Sequence, residues 1–412
     1  MANKRINYLI FIIWRSCLVL SSLSILAAAQ SIDNSSKEFG YSLKKPKKEK
    51  KGKSNSEKEF LPSAIADNTS NDDDAIRVET TMVLSEILVL DQQGRHVHNL
   101  KKEDFLIKED GTLQEISTFI IGDDQTIPRS IVLIIDYSGS QLPFIETSID
   151  AAKVLVGKLN QNDRIAIVTD NVELLQDFTN DKILLIEKLE SLKINALSGQ
   201  TGLSRQYSAL MATLNELFDD KALRPTIIFQ TDGDQFPELK GEIANLTPSS
   251  NTEALDFSYQ DILTATERSQ ATIYTIVPGL CFDKIPENER LERLKTYFEE
   301  RDRILAEMRK ISPRSNKTKI NKEYLESQIT WFEKHQSAIT EIAKFTGGSS
   351  KCLEQTEQAE QVYSGVLSEM NQRYVLGYYP RNQIRDGKRR KVTTEVRGNT
   401  NYKILGRKTY IF

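Results

Sequence analysis

Residues 131–140 have the sequence Ile-Val-Leu-Ile-Ile-Asp-Tyr-Ser-Gly-Ser, and this stretch decides the fold. Its five apolar residues show none of the alternation of a half-exposed strand, which is typical of a strand buried on both faces in a parallel sheet. Ligands of such sheets bind just beyond the carboxyl ends of the strands. Asp136, Ser138 and Ser140 lie at that position, and their carboxylate and hydroxyl oxygens suit Mg2+, Mn2+ or Ca2+.

The residues that follow predict an α/β domain over residues 128–372. Residues 226–233 repeat the opening pattern, an apolar run that ends in Thr-Asp-Gly, and 165–169 and 271–277 predict two further strands. Apolar residues at helical spacing predict helices over 143–159, 181–192, 204–217, 258–268 and 353–372. Strands that alternate with helices are typical of a doubly wound, mostly parallel, Rossmann-like sheet.

Residues 282–335 depart from this alternation. From Leu291 onward the apolar residues fit a seven-residue repeat, and Pro313 breaks it, which predicts a charged helical hairpin. A loop that follows a parallel strand opens at the same edge of the sheet as the other strand ends. We therefore expect the hairpin beside Asp136 and Asp232, either as a lid or as a structural or dimerisation arm.

The segments on either side of the α/β domain predict short antiparallel strands. Residues 76–127 and 373–412 both alternate apolar and polar residues between tight turns. Each segment has too few strands for a stable sandwich of its own. We therefore predict that the two segments form one β-sandwich, into which the α/β domain is inserted.

The first 75 residues predict export. Residues 1–29 have a positive start, an apolar run and a small-residue cleavage site, which is typical of a signal peptide; a retained membrane anchor is the alternative. Residues 30–75 are polar and charged, which predicts a disordered linker. Its lysine run at 44–53 is either a solvated spacer or a contact to an anionic membrane or envelope polymer. The predicted location is the periplasm, the cell surface or the exterior.

The net charge and the cysteine content limit the possible classes of function. The net charge of −3 argues against general nucleic-acid binding, which usually needs a basic surface. Beyond the predicted signal peptide the chain has two cysteines, Cys281 and Cys352, near the ends of predicted strands. A pair in an oxidising compartment often forms a disulfide, but sequence leaves both the bonded and the free state open.

Three loops carry the candidate site. Asp136, Ser138 and Ser140 end one strand, Thr201 lies in a glycine-flanked loop, and Asp232 ends a later strand. At this point the sequence resembles the von Willebrand factor type A (VWA) domain, whose metal-ion-dependent adhesion site has Asp-x-Ser-x-Ser, then Thr, then Asp in Thr-Asp-Gly.

The flanking segments are similar to a bacterial family of VWFA-related proteins. Residues 104–119, 345–348 and 374–380 look like its signatures, so that the resemblance covers about 76–412 without the helical insert. Gln200 is a departure, since a glycine is common before the metal-binding threonine.

The resemblance implies a role for each matched residue. Ser138, Ser140 and Thr201 would ligate the ion through oxygen, and Asp136 and Asp232 would hold it directly or through water. Mg2+ fits best, because it prefers octahedral oxygen sites and retains waters; Mn2+ and Ca2+ are alternatives. The open coordination position would accept a carboxylate from a partner protein.

These expectations favour a non-enzymatic function, namely metal-dependent binding or adhesion by an exported protein. A metal-dependent hydrolase is one alternative. A haloacid-type phosphohydrolase would need an aspartate where Ser138 stands, and a serine hydrolase would need a histidine beside Ser138 or Ser140. The three histidines of the chain are His96, His98 and His335, and none is placed there by the pattern. A structural envelope protein with an idle metal site is the other alternative.

Overall fold

The computed structural model describes residues 42–45, 82–124, 127–218, 224–242, 255–308, 321–399 and 401–412. The signal peptide predicted at 1–29 lies outside the described residues, and so does the linker predicted at 30–75 apart from residues 42–45. The chain divides into two compact units. Among the described residues, 42–44 and 124–370 form one unit, and 45, 82–123 and 371–412 form the other.

The strands in chain order are β1 (Val83–Leu90), β2 (Phe105–Glu109), β3 (Thr112–Gln114), β4 (Ile116–Ile121), β5 (Ser130–Ile135), β6 (Arg164–Thr169), β7 (Glu173–Thr179), β8 (Pro225–Gln230), β9 (Thr272–Pro278), β10 (Ser350–Leu353), β11 (Tyr374–Tyr378), β12 (Arg389–Val396), β13 (Lys403–Gly406) and β14 (Thr409–Ile411). The α-helices are α1 (Ile145–Lys158), α2 (Lys182–Leu197), α3 (Gln206–Glu216), α4 (Tyr259–Ser269), α5 (Glu287–Met308), α6 (Lys322–Thr346) and α7 (Ala359–Asn371).

The α/β unit contains a six-stranded sheet with the strand order β10-β9-β8-β5-β6-β7. All neighbouring strands are parallel except β7, which is antiparallel to β6. Every residue of β5 is buried. Val132 and Ile134 pack into the core on one face of the sheet, and Ile131, Leu133 and Ile135 pack into the core on the other. Burial on both faces explains the unbroken apolar run, and the predicted fold class is confirmed.

Two edge strands were not predicted. β7 mixes apolar, charged and polar residues and is only half-buried, so it lacks the signal of a central strand. β10 has four residues, three of them half-buried, and it immediately precedes the helix predicted over 353–372. Strands at the edge of a sheet need no continuous apolar pattern, because one side of the strand is open.

Residues 42–45 correct part of the predicted linker. Leu43 is buried in the core of the α/β unit, and Lys44 exchanges backbone hydrogen bonds with Val172 and Leu174. Residues 42–44 are therefore part of the α/β unit.

The predicted helical hairpin is present as α5 and α6. Phe282, Ile285, Leu294, Phe298 and Leu325 form a small apolar core of its own. The second helix continues past residue 335 to Thr346, in line with the apolar spacing of Leu325, Phe332 and Ile339. A disulfide joins Cys281 and Cys352, whose Cα atoms are 6.1 Å apart, and links the base of the hairpin to β10.

The second unit consists of two four-stranded antiparallel sheets, ordered β13-β1-β11-β4 and β14-β12-β2-β3. One apolar core lies between them, with Val83 and Leu376 from the first sheet and Ile107 and Val392 from the second. β1 pairs with β11 and β2 pairs with β12, so that the two segments together complete both sheets. Among the described residues, no helix combines the length and the apolar character needed to cross a membrane.

Candidate metal centre

The register of the sheet sets the positions of the site loops. Ile135, the last residue of β5, pairs with Thr169 on β6 and with Gln230 on β8. The three strands therefore end at one level, and the residues after each strand leave the sheet side by side. The backbone amide of Asp136 donates to the carbonyl of Gln230 at 3.1 Å.

A backbone contact brings in the loop that carries Thr201. The amide of Gly202 donates to the carbonyl of Tyr137 at 3.1 Å, and Gly202 and Ser138 form an isolated parallel bridge. Gly202 is required at this point, because a Cβ atom there would lie 2.1 Å from the carboxylate oxygens of Asp170. The close approach places half-buried Thr201 beside the strand end that carries Ser138.

Hydrogen bonds connect four of the five candidate residues. The hydroxyls of Ser138 and Ser140 are 3.1 Å apart, and Ser140 donates to the carboxylate of Asp232 at 2.9 Å. The Ser138 amide donates to the Asp136 carboxylate at 3.0 Å. Thr231 donates its hydroxyl to the other oxygen of Asp136 at 3.1 Å. The structure thus brings Asp136, Ser138, Ser140 and Asp232 into one network. Thr201 directly precedes Gly202, whose backbone contacts Tyr137 and Ser138.

A third carboxylate completes the cluster. Oxygen atoms of Asp136, Asp232 and Asp234 lie within 4.8 Å of one another. Burial raises the pKa of all three carboxyl groups, and their mutual repulsion raises the pKa of Asp136 and Asp234 further. Three carboxylates this close together, two of them buried and that of Asp234 half-buried, repel one another, so that ionising all three is costly unless a cation lies among them.

Asp170 supports the site from the end of β6. Its carboxylate accepts hydrogen bonds from the backbone amides of Tyr137 at 3.2 Å and Ser204 at 2.8 Å. It therefore ties the loop after β5 to the loop that follows Thr201. Burial raises the pKa of Asp170 to about 6.

Two buried glutamines contact the carboxylates. The Gln206 amide donates to Asp136 at 2.7 Å and also to Asp234, and the Gln141 amide donates to Asp232 at 2.6 Å. The side-chain oxygen of each glutamine is buried without a hydrogen-bond partner in the described part of the chain. Buried oxygens of this kind normally have a partner, and a cation or its bound water would supply one.

Sequence reasoning missed Asp170, Asp234, Gln141 and Gln206. Asp170 follows a buried parallel strand, and the rule that singled out Asp136 applies to it equally. Asp234 lies two residues beyond Asp232 in the same turn. The glutamines carry no comparable signal, because their positions depend on how the 3₁₀ helix Gly139–Phe144 and α3 pack beside the strand ends.

The donor set fits a hard divalent cation. Carboxylates and hydroxyls are the ligands that Mg2+, Mn2+ and Ca2+ prefer, and the site has both types at the end of a parallel sheet. Cys281 and Cys352 also lie near a carboxylate, that of Asp283, but their sulfurs are bonded to each other. Of these two groups in the described part of the chain, the acidic cluster is therefore the one that offers oxygen ligands to a cation.

Comparisons with known proteins were made at three levels. No family model matches the sequence, and no curated protein matches it. Among solved structures, the conserved hypothetical protein BatB from Bacteroides thetaiotaomicron is 15% identical with a TM-score of 0.34, and the match covers 59% of this chain and 98% of that chain. A von Willebrand factor type A protein from Catenulispora acidiphila is 10% identical with a TM-score of 0.34, over 81% and 72% of the two chains. Proximal thread matrix protein 1 of the mussel byssus, solved with a zinc-occupied MIDAS motif, is 14% identical with a TM-score of 0.25, over 37% and 39%.

The positions of the motifs in the fold give a resemblance that does not depend on these low TM-scores. A central parallel sheet with one antiparallel edge strand carries Asp-x-Ser-x-Ser, the loop with Thr201 and Thr-Asp-Gly at one edge, and in these features the α/β unit resembles a VWA domain. This chain combines the α/β unit with a helical hairpin after β9 and with an antiparallel β-sandwich unit.

Proposed function

We propose that this chain is an exported protein that binds a carboxylate of a partner protein through a divalent cation, Mg2+ by preference. The observation that carries the proposal is the acidic group of buried Asp136 and Asp232 and half-buried Asp234, whose oxygens lie within 4.8 Å of one another beside the hydroxyls of Ser138 and Ser140.

The five candidate residues would hold the ion in different ways. Ser138, Ser140 and Thr201 offer neutral oxygens as ligands, while Asp136 and Asp232 hold the ion directly or through water. Neutral ligands leave more of the positive charge on the ion than carboxylates do. A site with an open coordination position would then attract an acidic side chain.

The surroundings support binding rather than catalysis. Both serine hydroxyls lie in a network of hydroxyls and carboxylates. His335, one of the three histidines of the chain, is buried against Trp331 and Phe236, and burial lowers its pKa to about 3. An imidazole in such surroundings packs as an aromatic ring. A phosphatase and esterase screen that found metal-dependent turnover, lost in Ser138→Ala, would contradict the binding function.

Export is supported by the disulfide between Cys281 and Cys352, because such bonds persist in oxidising compartments. The periplasm, the cell surface and the exterior are all consistent with this bond. An association of the N-terminal lysines with a membrane or envelope polymer stays a prediction.

Calorimetric titration of Mg2+ and Mn2+ into the purified mature chain tests the proposal. We expect saturable binding that is lost in Asp136→Ala and weakened in Ser140→Ala. Glu187→Ala is the matched control, because Glu187 is an exposed carboxylate on α2. A pull-down with and without chelator then tests the partner. Absence of metal binding in the wild-type chain would contradict the proposal, and binding of metal without any chelator-sensitive partner would favour an idle site.

A further inference from the structure

A groove lies between the helical hairpin and the 3₁₀ helix that carries Ser140. Its volume is about 450 Å³, which is within the range of small-ligand pockets. Pro143, Phe144, Leu280, Tyr297 and Ile304 give it a largely apolar lining. These residues come from the 3₁₀ helix, from the segment after β9 and from one face of α5.

The groove adjoins the acidic cluster. Pro143 and Phe144 lie in the same short helix as Ser140, and Phe144 stacks on Tyr297 with ring centroids 5.9 Å apart and planes at 6°. Burial raises the pKa of the Tyr297 hydroxyl, and the charges of Asp232 and Asp234 raise it further. Tyr297 therefore lines the groove and lies within electrostatic range of the carboxylates.

Charges at the rim of the groove are largely neutralised within the protein. Arg293 pairs with Glu354 at 2.8 Å, and Glu300 pairs with Arg303 at 2.6 Å. Arg301 pairs with Asp302 and lies over the ring of Phe298 at 4.8 Å. With these pairs in place, the groove offers an apolar surface next to a site that attracts negative charge.

From this arrangement we infer that the groove receives a large apolar or aromatic side chain of the same partner segment whose carboxylate binds the cation. The inference rests on the proposed function. It specifies the partner as an extended peptide segment with an acidic residue and an apolar residue at a fixed spacing.

The spacing follows from the geometry of the 3₁₀ helix. At about 2 Å of rise per residue, Pro143 and Phe144 lie roughly 6–8 Å from Ser140 along the helix axis. An extended peptide covers about 7 Å in two residues, and side chains two positions apart point to the same face. The apolar residue should therefore stand two positions from the acidic one.

The test is a selection from a library of peptides with a fixed central aspartate and random flanking residues. The immobilised wild-type chain is loaded in Mg2+ and eluted with EDTA. We expect enrichment of Phe, Tyr, Trp, Leu or Ile two positions from the aspartate. A selected peptide should bind about tenfold more tightly than the same peptide with Ala at that position, the order expected for burying one large apolar side chain.

Two variants address the groove itself. Thr296→Trp fills the groove from an exposed position that tolerates a larger side chain, and Ile304→Glu places a charge in it. Both should abolish the apolar preference while Mg2+ binding in calorimetry persists. Lys295→Glu is the control, because Lys295 is exposed on the same helix and outside the groove lining.

The outcomes separate the two proposals. EDTA-eluted peptides with no apolar preference would overturn the groove as a subsite and leave the metal-dependent function intact; this is also the result expected if residues of the chain itself or of a second copy fill the groove. Absence of any EDTA-eluted peptide would contradict the carboxylate-binding function and the groove together. An apolar preference that survives both groove variants would place the apolar contact elsewhere and overturn the inference.

Discussion

The hydroxyl of Ser140 donates to a carboxylate oxygen of Asp232 at 2.9 Å, although the two residues are 92 positions apart in sequence. The contact depends on the pairing of β5 with β8, which ends both strands at the same level. A core that aligns the strands therefore also gathers the carboxylates. The carboxylate cluster thus results from the register of the strands, and its charge affects the stability of the whole α/β unit.

The metal-free protein should become less stable as the pH rises from about 4 to 6. Burial raises the pKa of Asp170 to about 6 and also raises that of Asp136 and Asp234, whereas an unfolded aspartate has a pKa near 3.9. In this interval the folded state binds more protons than the unfolded state, so the free energy of unfolding falls with rising pH. Thermal unfolding in EDTA at pH 4.5, 5.5 and 6.5 measures the effect.

Two comparisons separate the contribution of the carboxylate cluster to this pH dependence from that of other titrating groups. Asp234→Asn removes one repelling carboxylate and should make the decline shallower. Excess Mg2+ at pH 6.5 should raise the unfolding temperature of the wild type more than that of Asp136→Ala. A metal-free wild type whose unfolding temperature rises steadily over this interval, with the same slope as Asp234→Asn, would contradict the prediction.

Gly202→Ala should disrupt the metal centre. A Cβ atom at this position would lie 2.1 Å from the Asp170 carboxylate, so the loop that holds Thr201 must move away from Ser138. We expect Mg2+ affinity to fall by at least tenfold, measured by calorimetry. Gly157→Ala is the control, since Gly157 lies in α1 with open space around its Cβ position and the substitution favours the helix. Unchanged affinity in Gly202→Ala would show that this loop does not contribute to the site.

The strands that can be predicted from the sequence are those buried on both faces of the sheet. Strand β5, which ends just before Asp136, directs apolar side chains into the cores on both faces of the sheet, so its apolar sequence is uninterrupted. Strand β7 was not predicted, because it lies at the edge of the sheet and is partly exposed along its length. The contact of Gln206 with Asp136 could not be predicted, because it depends on the packing of α3 across a separation of 70 residues.

Removal of the disulfide should destabilise the α/β unit. Cys281 and Cys352 are 71 residues apart, and the loop they close contains the whole hairpin. By the chain-entropy model, the double variant Cys281→Ser/Cys352→Ser should lose about 4 kcal/mol of unfolding free energy. Urea unfolding followed by the fluorescence of Trp331, which lies in α6, measures the loss. A reductant should reproduce it in the wild type and leave the double variant unchanged; equal stability of all four samples would contradict the prediction.

In the sandwich unit, Glu109→Gln should be strongly destabilising. The Glu109 carboxylate is 3% exposed and accepts hydrogen bonds from Tyr378 at 3.0 Å, Tyr410 at 2.7 Å and Arg390 at 2.9 Å. The amide leaves the buried Arg390 guanidinium without its counter-charge, a change that costs about 3–5 kcal/mol. Hydrogen exchange of peptides from β11 and β12 should accelerate by two orders of magnitude or more.

The control applies the same substitution to an exposed ion pair of the same sheet. Glu395 lies 2.9 Å from Lys108, and 47% of its side chain is exposed. Solvent and salt screen such a pair, so Glu395→Gln should change the free energy of unfolding by about 1 kcal/mol or less. Similar exchange rates in the two variants would mean that the Arg390 charge finds a partner without Glu109. The backbone carbonyls of Asn382 and Ile384, which already accept from Arg390, would be the groups that provide it.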